Sequence, residues 1–333
     1  MLSIQNISKL YIENTGLFPI SFDILPAQCV VIAGESGSGK TTLLQLLAGK
    51  LASDTGNIYL HQQLLPSPDT LLVREYKQIA CVPQDFKLLP NHKVWENIVY
   101  PIRNWIKSTQ IEQLEKLANA LDLKDLLYRY PREISGGQQQ RTAIAKALAN
   151  EPDVLLLDEP FNQADMPTKI KLQNTINLLK NEINTSLIIV THNPQEALHL
   201  ADEIIVLEKG KIVQKAKPKE IYEKPINAYV AELFGRINYL IDEKNQKKTG
   251  IRPENIEISK EKTAFKGMIQ RIDYVGSHYQ ISIKVNNELW EVWTKNNDYS
   301  TEKEIFLKID ENFIFFGRFR PDILRDVMYL YKI

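Results

Sequence analysis

The 333 residues carry 41 basic and 41 acidic side chains, with 44% hydrophobic and 25% charged residues. That length exceeds what one compact domain usually holds, so two domains are expected, and the globular balance excludes a disordered, collagen-like or coiled-coil chain. Zero formal net charge gives no bulk positive field for nucleic acid, and no run approaches the roughly 18 apolar residues of a membrane span.

In chain order, Met1-Leu2-Ser3-Ile4-Gln5 lacks the basic patch and apolar stretch of a secretion signal. The expectation is a cytosolic chain whose membrane role, if any, comes through a partner. The first 85 residues read as strands broken by one helix. Cys29-Val30-Val31-Ile32-Ala33 is a continuous apolar run, as for a strand buried on both faces. Cys29 and Cys81 each precede a valine in such a run and read as reduced, buried, inert thiols. A glycine-rich turn follows the first run, then a helix from Lys40 to Leu51. Residues 57–60 and 78–83 read as further strands.

From 86 to 150 the pattern is helical, with Ile111, Leu114, Leu117 and Leu121 on one apolar face. Val154-Leu155-Leu156-Leu157 is a buried strand. Leu172, Ile176, Leu179 and Ile183 mark a helix, and 187–190 and 204–207 two more strands. This alternation predicts an α/β fold with a parallel sheet covered on both faces. After 240 the texture changes. Residues 242–248 are polar and linker-like. Tyr279, Ile281, Ile283 and Val285 alternate with polar residues, Asn286-Asn287 signals a turn, and Trp290, Val292, Phe306 and Ile309 continue a small antiparallel β domain.

Two segments carry chemistry. Gly34-Glu35-Ser36-Gly37-Ser38-Gly39-Lys40-Thr41, with Thr42 next, fits the phosphate-loop pattern. Backbone N–H groups must turn inward around a polyanion, and side chains would obstruct them. The following helix directs its positive end at the phosphates, Lys40 supplies a point charge, and the Thr41 hydroxyl can ligate Mg²⁺. A serine-hydrolase elbow fails here because Ser38 stands where it needs glycine. The second segment is the apolar strand that ends in Asp158-Glu159-Pro160. Ligands gather at the carboxyl ends of such strands. Asp158 can hold Mg²⁺ through water, and Glu159 can orient or deprotonate an attacking water.

With these motifs on one chain, the sequence resembles the ATP-binding cassette (ABC) ATPases over about residues 1–235. Ser135-Gly136-Gly137-Gln138 matches the signature that names the family. The resemblance implies that it opens a helix and faces the ATP of a partner subunit. Ser135 suits an N-cap, and two glycines leave the helix end bare. Gln84 matches the family's Q-loop glutamine, a contact for Mg²⁺ and water. His192 matches the switch histidine, a donor to the γ-phosphate, and Tyr11 the aromatic that stacks on adenine. The loop after Pro160 departs from the usual Ser-Ala-Leu-Asp: it reads Asn162-Gln163-Ala164-Asp165 and keeps only the aspartate.

The resemblance therefore implies a P-loop NTPase core (1–235) with a helical subdomain at 86–150, a linker at 236–250, and a reduced OB-like β domain at 251–333. Ile221-Tyr222-Glu223-Lys224-Pro225, Phe234 to Leu240 and Gly250-Ile251-Arg252-Pro253-Glu254 look like the junction to the TOBE extension of importer ATPases. Only residues 241–250 separate Leu240 from Ile251, so the extension is short, which tilts the expectation from sugars towards ferric iron, polyamines or oxyanions such as sulfate and molybdate. The implied cofactors are ATP and Mg²⁺. The implied partners are a second copy or a related ATPase, a membrane permease with which segment 86–150 docks, and indirectly a solute-binding protein. The implied location is peripheral, on the cytoplasmic face of the membrane. An exporter ATPase and a soluble cassette protein acting on nucleic acid or ribosomes are the alternatives. The tail speaks against the first; the single phosphate loop and zero charge speak against the second. The lysines at 209, 211, 215, 217 and 219 read as an exposed edge hairpin. The five histidines lack zinc-ligand spacing.

Overall fold

A computed structural model describes residues 1–11, 15–162, 165–182, 185–242, 247–263, 265–286, 288–296, 298–309 and 314–315. Gln163, Ala164, Ile183, Asn287 and most of the 242–248 linker therefore lie outside the described residues. The chain forms two compact units that divide between Pro218 and Lys219.

The first unit opens with an antiparallel sheet built from β1 (Leu2–Leu10), β2 (Gly16–Ile24), β4 (Thr55–Leu60) and β5 (Gln63–Leu64) in the order β2-β1-β4-β5. Its alternating apolar residues pack onto α1 (Lys40–Leu47). That helix stops short of the expected Leu51 because Gly49 takes a left-handed φ of +69°. The main sheet has the order β10-β9-β3-β8-β7-β6. Its strands are β3 (Cys29–Ala33), β6 (Ile79–Val82), β7 (Val154–Asp158), β8 (Ser186–Thr191), β9 (Glu203–Glu208) and β10 (Lys211–Ala216). All pair in parallel except β10, which folds back on β9. Residues 29–33, 154–157 and 186–191 are fully buried. Each buried Val, Leu or Ile stabilises by about 1.5–3 kcal/mol, so continuous apolar runs settle in the middle of a two-sided sheet. As expected, the lysines of β10 lie on an edge strand, where Lys215 pairs with Glu203 at 3.2 Å.

Between β6 and β7 come α2 (Val94–Val99), α3 (Lys107–Ala120) and α4 (Gly136–Leu148), so the expected helical segment is present but starts only at 94. Of the expected α3 face, Leu117 and Leu121 are buried and Leu114 is half-buried. Ile111 is 54% exposed, while Gln113 is buried and donates to the carbonyls of Leu148 and Ala149 at 3.5 and 3.3 Å. The end of α4 needs a donor there, and the amide supplies it. After β7 come α5 (Met166–Glu182) and, between β8 and β9, α6 (Pro194–Leu200).

The second unit begins at Lys219, within α7 (Pro218–Glu223), and takes in α8 (Ala228–Phe234), ahead of the expected break at 235. It continues with β11 (Asn238–Asp242), β12 (Lys247–Ile251), β13 (Ile256–Ser259), β14 (Phe265–Tyr274), β15 (Tyr279–Val285), β16 (Glu288–Thr294), β17 (Glu304–Ile309) and β18 (Ile314–Phe315). These form an antiparallel sheet of order β13-β17-β14-β15-β16 and a small one of order β11-β12-β18. Ile269, Ile281, Ile283, Trp290, Val292 and Leu307 fill the core between them. Arg252, 1% exposed, explains why α7 and α8 belong here. It donates to the carbonyls of Ala231, Arg236 and Tyr222 at 2.8, 3.1 and 3.3 Å. Its guanidinium lies 4.2 Å from the Tyr222 ring centre.

Among the described residues no helix is long and apolar enough to cross a membrane. Both cysteines are free thiols. Cys29 is buried, and burial pushes its thiol up to about 12; Cys81 is half-buried and raised by the same cause.

Candidate functional site

The site lies at the carboxyl ends of β3, β7 and β8. The loop from β3 to α1 turns on glycines with positive φ, +80° at Gly37 and +102° at Gly39, where Gly39 caps α1. A Cβ at Gly37 would meet nothing within 4 Å, so the loop there faces open space. Glu35, Ser36 and Gly37 are exposed, and Thr41 and Thr42 begin the helix beside them. Lys40 Nζ donates to the carbonyls of Gly34 and Glu35, both at 2.8 Å. Burial lowers the Lys40 ammonium, while Glu159, Asp158 and Glu35 pull it back up. Among the described residues, Ser38 Oγ is buried without a hydrogen-bond partner. An orphaned buried hydroxyl, exposed glycine backbone and a helix N-terminus together fit a polyphosphate.

The turn between β9 and β10 braces this loop. Gly210 N–H donates to the Ser38 carbonyl at 3.0 Å, and the Gly210 carbonyl accepts from Phe18 N–H at 2.9 Å. A Cβ at Gly210 would overlap the Gly16 carbonyl oxygen, and φ there is +76°. Tyr11 enters through the same contacts. It is 49% exposed at the end of β1, and its ring edge lies 3.1 Å from where a Gly16 Cβ would stand. The Gly16 carbonyl in turn approaches Gly39.

Asp158 ends β7 in register with Val190 of β8. Burial, then the neighbouring Glu159, raise the Asp158 carboxyl, and Lys40 and Lys50 oppose the rise. Glu159 takes a φ of +45°, and its N–H donates to the Val190 carbonyl at 2.9 Å. That kink aims its side chain back over the strand ends. His192 Nδ1 lies 3.1 Å from Glu159 Oε1, and Asn162 Nδ2 donates to Glu159 Oε2 at 3.1 Å. His192 is held from both sides. Thr191 Oγ1 and Asn193 Nδ2 donate to the buried carboxylate of Glu196 at 2.6 and 3.2 Å, and Lys169 of α5 reaches the same group at 3.4 Å.

A small cleft gathers Gln84 and Phe86 with Gly136, Gly137, Gln140, Glu159, Pro160 and Asn162. The glutamine of the 84–86 loop and the glycines of the signature thus meet Glu159 within one chain. Ser135 caps α4 as expected: its Oγ accepts from Gln138 N–H at 3.4 Å, and Gln138 Oε1 accepts from Ser135 N–H at 2.8 Å. The two glycines differ from the expectation that both leave the helix end bare. A Cβ at Gly136 would meet nothing within 4 Å, but one at Gly137 would overlap Thr168 Cγ2. Asp165 caps α5, accepting from Thr168 N–H at 3.1 Å, and the Thr168 hydroxyl, then this backbone bond, lower its carboxyl.

Gln140 and Glu196 escaped the sequence reading. Gln140 Nε2 donates to the Pro160 carbonyl and ties α4 to the acid pair. Its signal was present: it follows Gly137 by three, on the same helical face. Glu196 follows Asn193 by three ahead of an apolar stretch, the spacing of an N-terminal capping pair.

Comparison with known proteins places the chain among its relatives. Residues 17–162 match the ABC transporter family and residues 249–303 the TOBE domain. The chain is 32% identical over 321 residues to the glucose import ATP-binding protein of Saccharolobus solfataricus, covering 87% of this chain and 91% of that one. It is 32% identical to the spermidine/putrescine import ATP-binding protein of Clostridioides difficile, covering 91% and 94%. It is also 32% identical to the Fe(3+) ions import ATP-binding protein of Haemophilus influenzae, covering 89% and 92%. In fold it is similar to CbiO1 of Clostridium perfringens, described as part of the ABC transporter complex CbiONQ. The TM-score is 0.62 at 24% identity, over 66% of this chain and 89% of that one.

Proposed function

The chain belongs to the ABC transporter ATP-binding family, and we propose that it is the ATP-hydrolysing subunit that powers a solute importer. The observation that carries this reading is Glu159 held against His192, on strand ends adjoining the Lys40 loop. The backbone of residues 34–41 and the Lys40 ammonium bind the triphosphate, and Tyr11 stacks on the base. Glu159 takes a proton from the attacking water, and His192 donates to the γ-phosphate. Thr41, Asp158 and Gln84 would hold Mg²⁺, which neutralises charge developing on the phosphates.

Ser135, Gly136, Gly137, Gln138 and Asp165 complete the site of a second copy, or of a related ATPase, facing the first head to tail. The γ-phosphate joins the copies, and its loss lets them part. The segment 86–150 docks with a membrane permease, so the chain sits peripherally on the cytoplasmic face, and a solute-binding protein acts further out. The TOBE unit favours import over export. Nucleic acid is not a partner. Relatives named for glucose, polyamine, sulfate and ferric iron import all match over most of their length, so tail length does not separate sugars from ferric iron, polyamines or oxyanions.

Light scattering on the Glu159→Gln variant tests the arrangement. Mg-ATP should convert monomer to dimer, and EDTA should prevent it. A chain that stays monomeric with Mg-ATP and its permease present overturns the shared-site reading. Uptake of ferric iron, spermidine, sulfate, molybdate and glucose by cells lacking the gene identifies the solute; no loss for any of them counts against import of these classes.

A further inference from the structure

We propose that Asn162 is a positioning residue that fixes the carboxylate of Glu159 for water activation. The inference rests on the reading of Glu159 as the base and goes beyond it by assigning what orients that base.

Three contacts define the grip. Asn162 Nδ2 donates to Glu159 Oε2 at 3.1 Å. Asn162 N–H donates to the Glu159 carbonyl at 3.2 Å, so the turn carrying the amide is closed on the residue it holds. His192 Nδ1 lies 3.1 Å from the other oxygen, Oε1. The orientation of the amide is set by chemistry: a carboxylate only accepts, so the amide nitrogen, not its oxygen, faces Oε2.

The terminal torsion of a glutamate is broad and roughly two-fold, so a carboxylate held by one oxygen still swings. The Asn162 donor on Oε2, with the His192 ring packed beside Oε1, restricts that freedom. Each oxygen retains a second acceptor direction, because a carboxylate offers about four. One of these can take the proton of a water. A general base must lie within hydrogen-bond reach of that proton, and small misplacements are costly in rate. Asn162 also borders both clefts that meet at Glu159, one with Gln84 and Gly137, the other with His192. It therefore acts through Glu159 from beside the reacting centre.

The test is steady-state hydrolysis and nucleotide affinity on the full-length protein. Asn162→Ala should lower kcat about 10-fold and leave the KM for ATP within about twofold, the scale of one hydrogen bond to a charged group. Asn162→Asp keeps the shape but sets an acceptor-only group against the carboxylate, and should lose about 100-fold, more than alanine does. Asn162→Ser restores a donor and should exceed Asn162→Ala. In the Glu159→Gln background, Asn162→Ala should lower the residual rate no further, because the group it orients is gone. A purely structural asparagine predicts the reverse order, with the isosteric aspartate milder than alanine. That order, or an Asn162→Ala loss that persists in full beside Glu159→Gln, overturns the proposal while Glu159 stays the base. Near-normal turnover of Glu159→Gln alone overturns both assignments.

Discussion

His192 Nδ1 stands 3.1 Å from Glu159 Oε1, and the contact follows from strand register. Asp158 pairs with Val190, so the residues just beyond, Glu159 and His192, leave neighbouring parallel strands side by side. Glu159→Gln should reduce turnover about 10²–10⁴-fold, the usual contribution of a positioned base. ATP binding should persist, because the phosphate loop is untouched. Phosphate release and fluorescent-nucleotide titration on the same preparation check the pair; hydrolysis at a near-normal rate would refute the role.

Lys40 is 6% exposed, and among the described residues its ammonium donates to the carbonyls of Gly34 and Glu35. Two carbonyls do not neutralise a cation whose desolvation already works against its charge. A polyphosphate does. Lys40→Ala should weaken ATP binding at least about 10-fold, while folding is retained because no carboxylate is left unpaired by it. Equilibrium titration with a fluorescent ATP analogue reads the change, and unaltered affinity would remove Lys40 from the cradle.

Gly210 permits the close approach that braces the loop. Its φ of +76° and its packing on the Gly16 carbonyl both exclude a side chain. Gly210→Val should lower the stability of the first unit by about 1–3 kcal/mol through strain and displaced backbone. It should also weaken nucleotide binding, because the Gly210 N–H that holds the Ser38 carbonyl moves with it. Thermal unfolding and nucleotide titration should change together. A stability loss with intact affinity would show that the turn does not brace the cradle.

Arg252 plays the corresponding part in the second unit. Its removal would leave the carbonyls of Tyr222, Ala231 and Arg236 without a donor in a buried setting. Arg252→Met preserves most of the apolar volume but none of the donors, so about 3 kcal/mol of stability should be lost from that unit. Limited proteolysis should then cut in α7 or α8 first. Unchanged protection of those helices would mean that Arg252 does not hold them.

The sequence made the main sheet readable because buried parallel strands are continuous apolar runs, as Val154–Leu157 and Leu187–Val190 show. It made the phosphate loop readable because glycine spacing is a backbone requirement. In α3 it made Leu117 and Leu121 readable but not the buried Gln113, whose partners are carbonyls at the end of α4. No local period reports such a partner. Residues 219–235 likewise read as the end of the first domain, whereas they pack with the second unit, where Arg252 donates to the Tyr222 and Ala231 carbonyls. Asn162 was visible only as a departure from a familiar loop; its contact with Glu159 needs the kink at φ +45°.

Gly137 offers a sharp separation of packing from ligand binding. A glycine in a phosphate-facing helix end is usually explained by the ligand alone. Here a Cβ at Gly137 would collide with Thr168 Cγ2 of the same chain, whereas one at Gly136 would point into open space. Gly137→Ala should therefore destabilise the contact between α4 and α5, by about 1–3 kcal/mol as overpacking does. Thr168→Ser deletes the colliding methyl group and keeps the hydroxyl. The double variant should regain the stability lost by Gly137→Ala, and hydrolysis should return with it if packing alone demands the glycine. Stability restored without hydrolysis would assign Gly137 a direct contact with the nucleotide of the opposing copy. Stability not restored would mean that Thr168 is not what the glycine accommodates. Thermal unfolding and phosphate release on the two single variants and the double separate these outcomes.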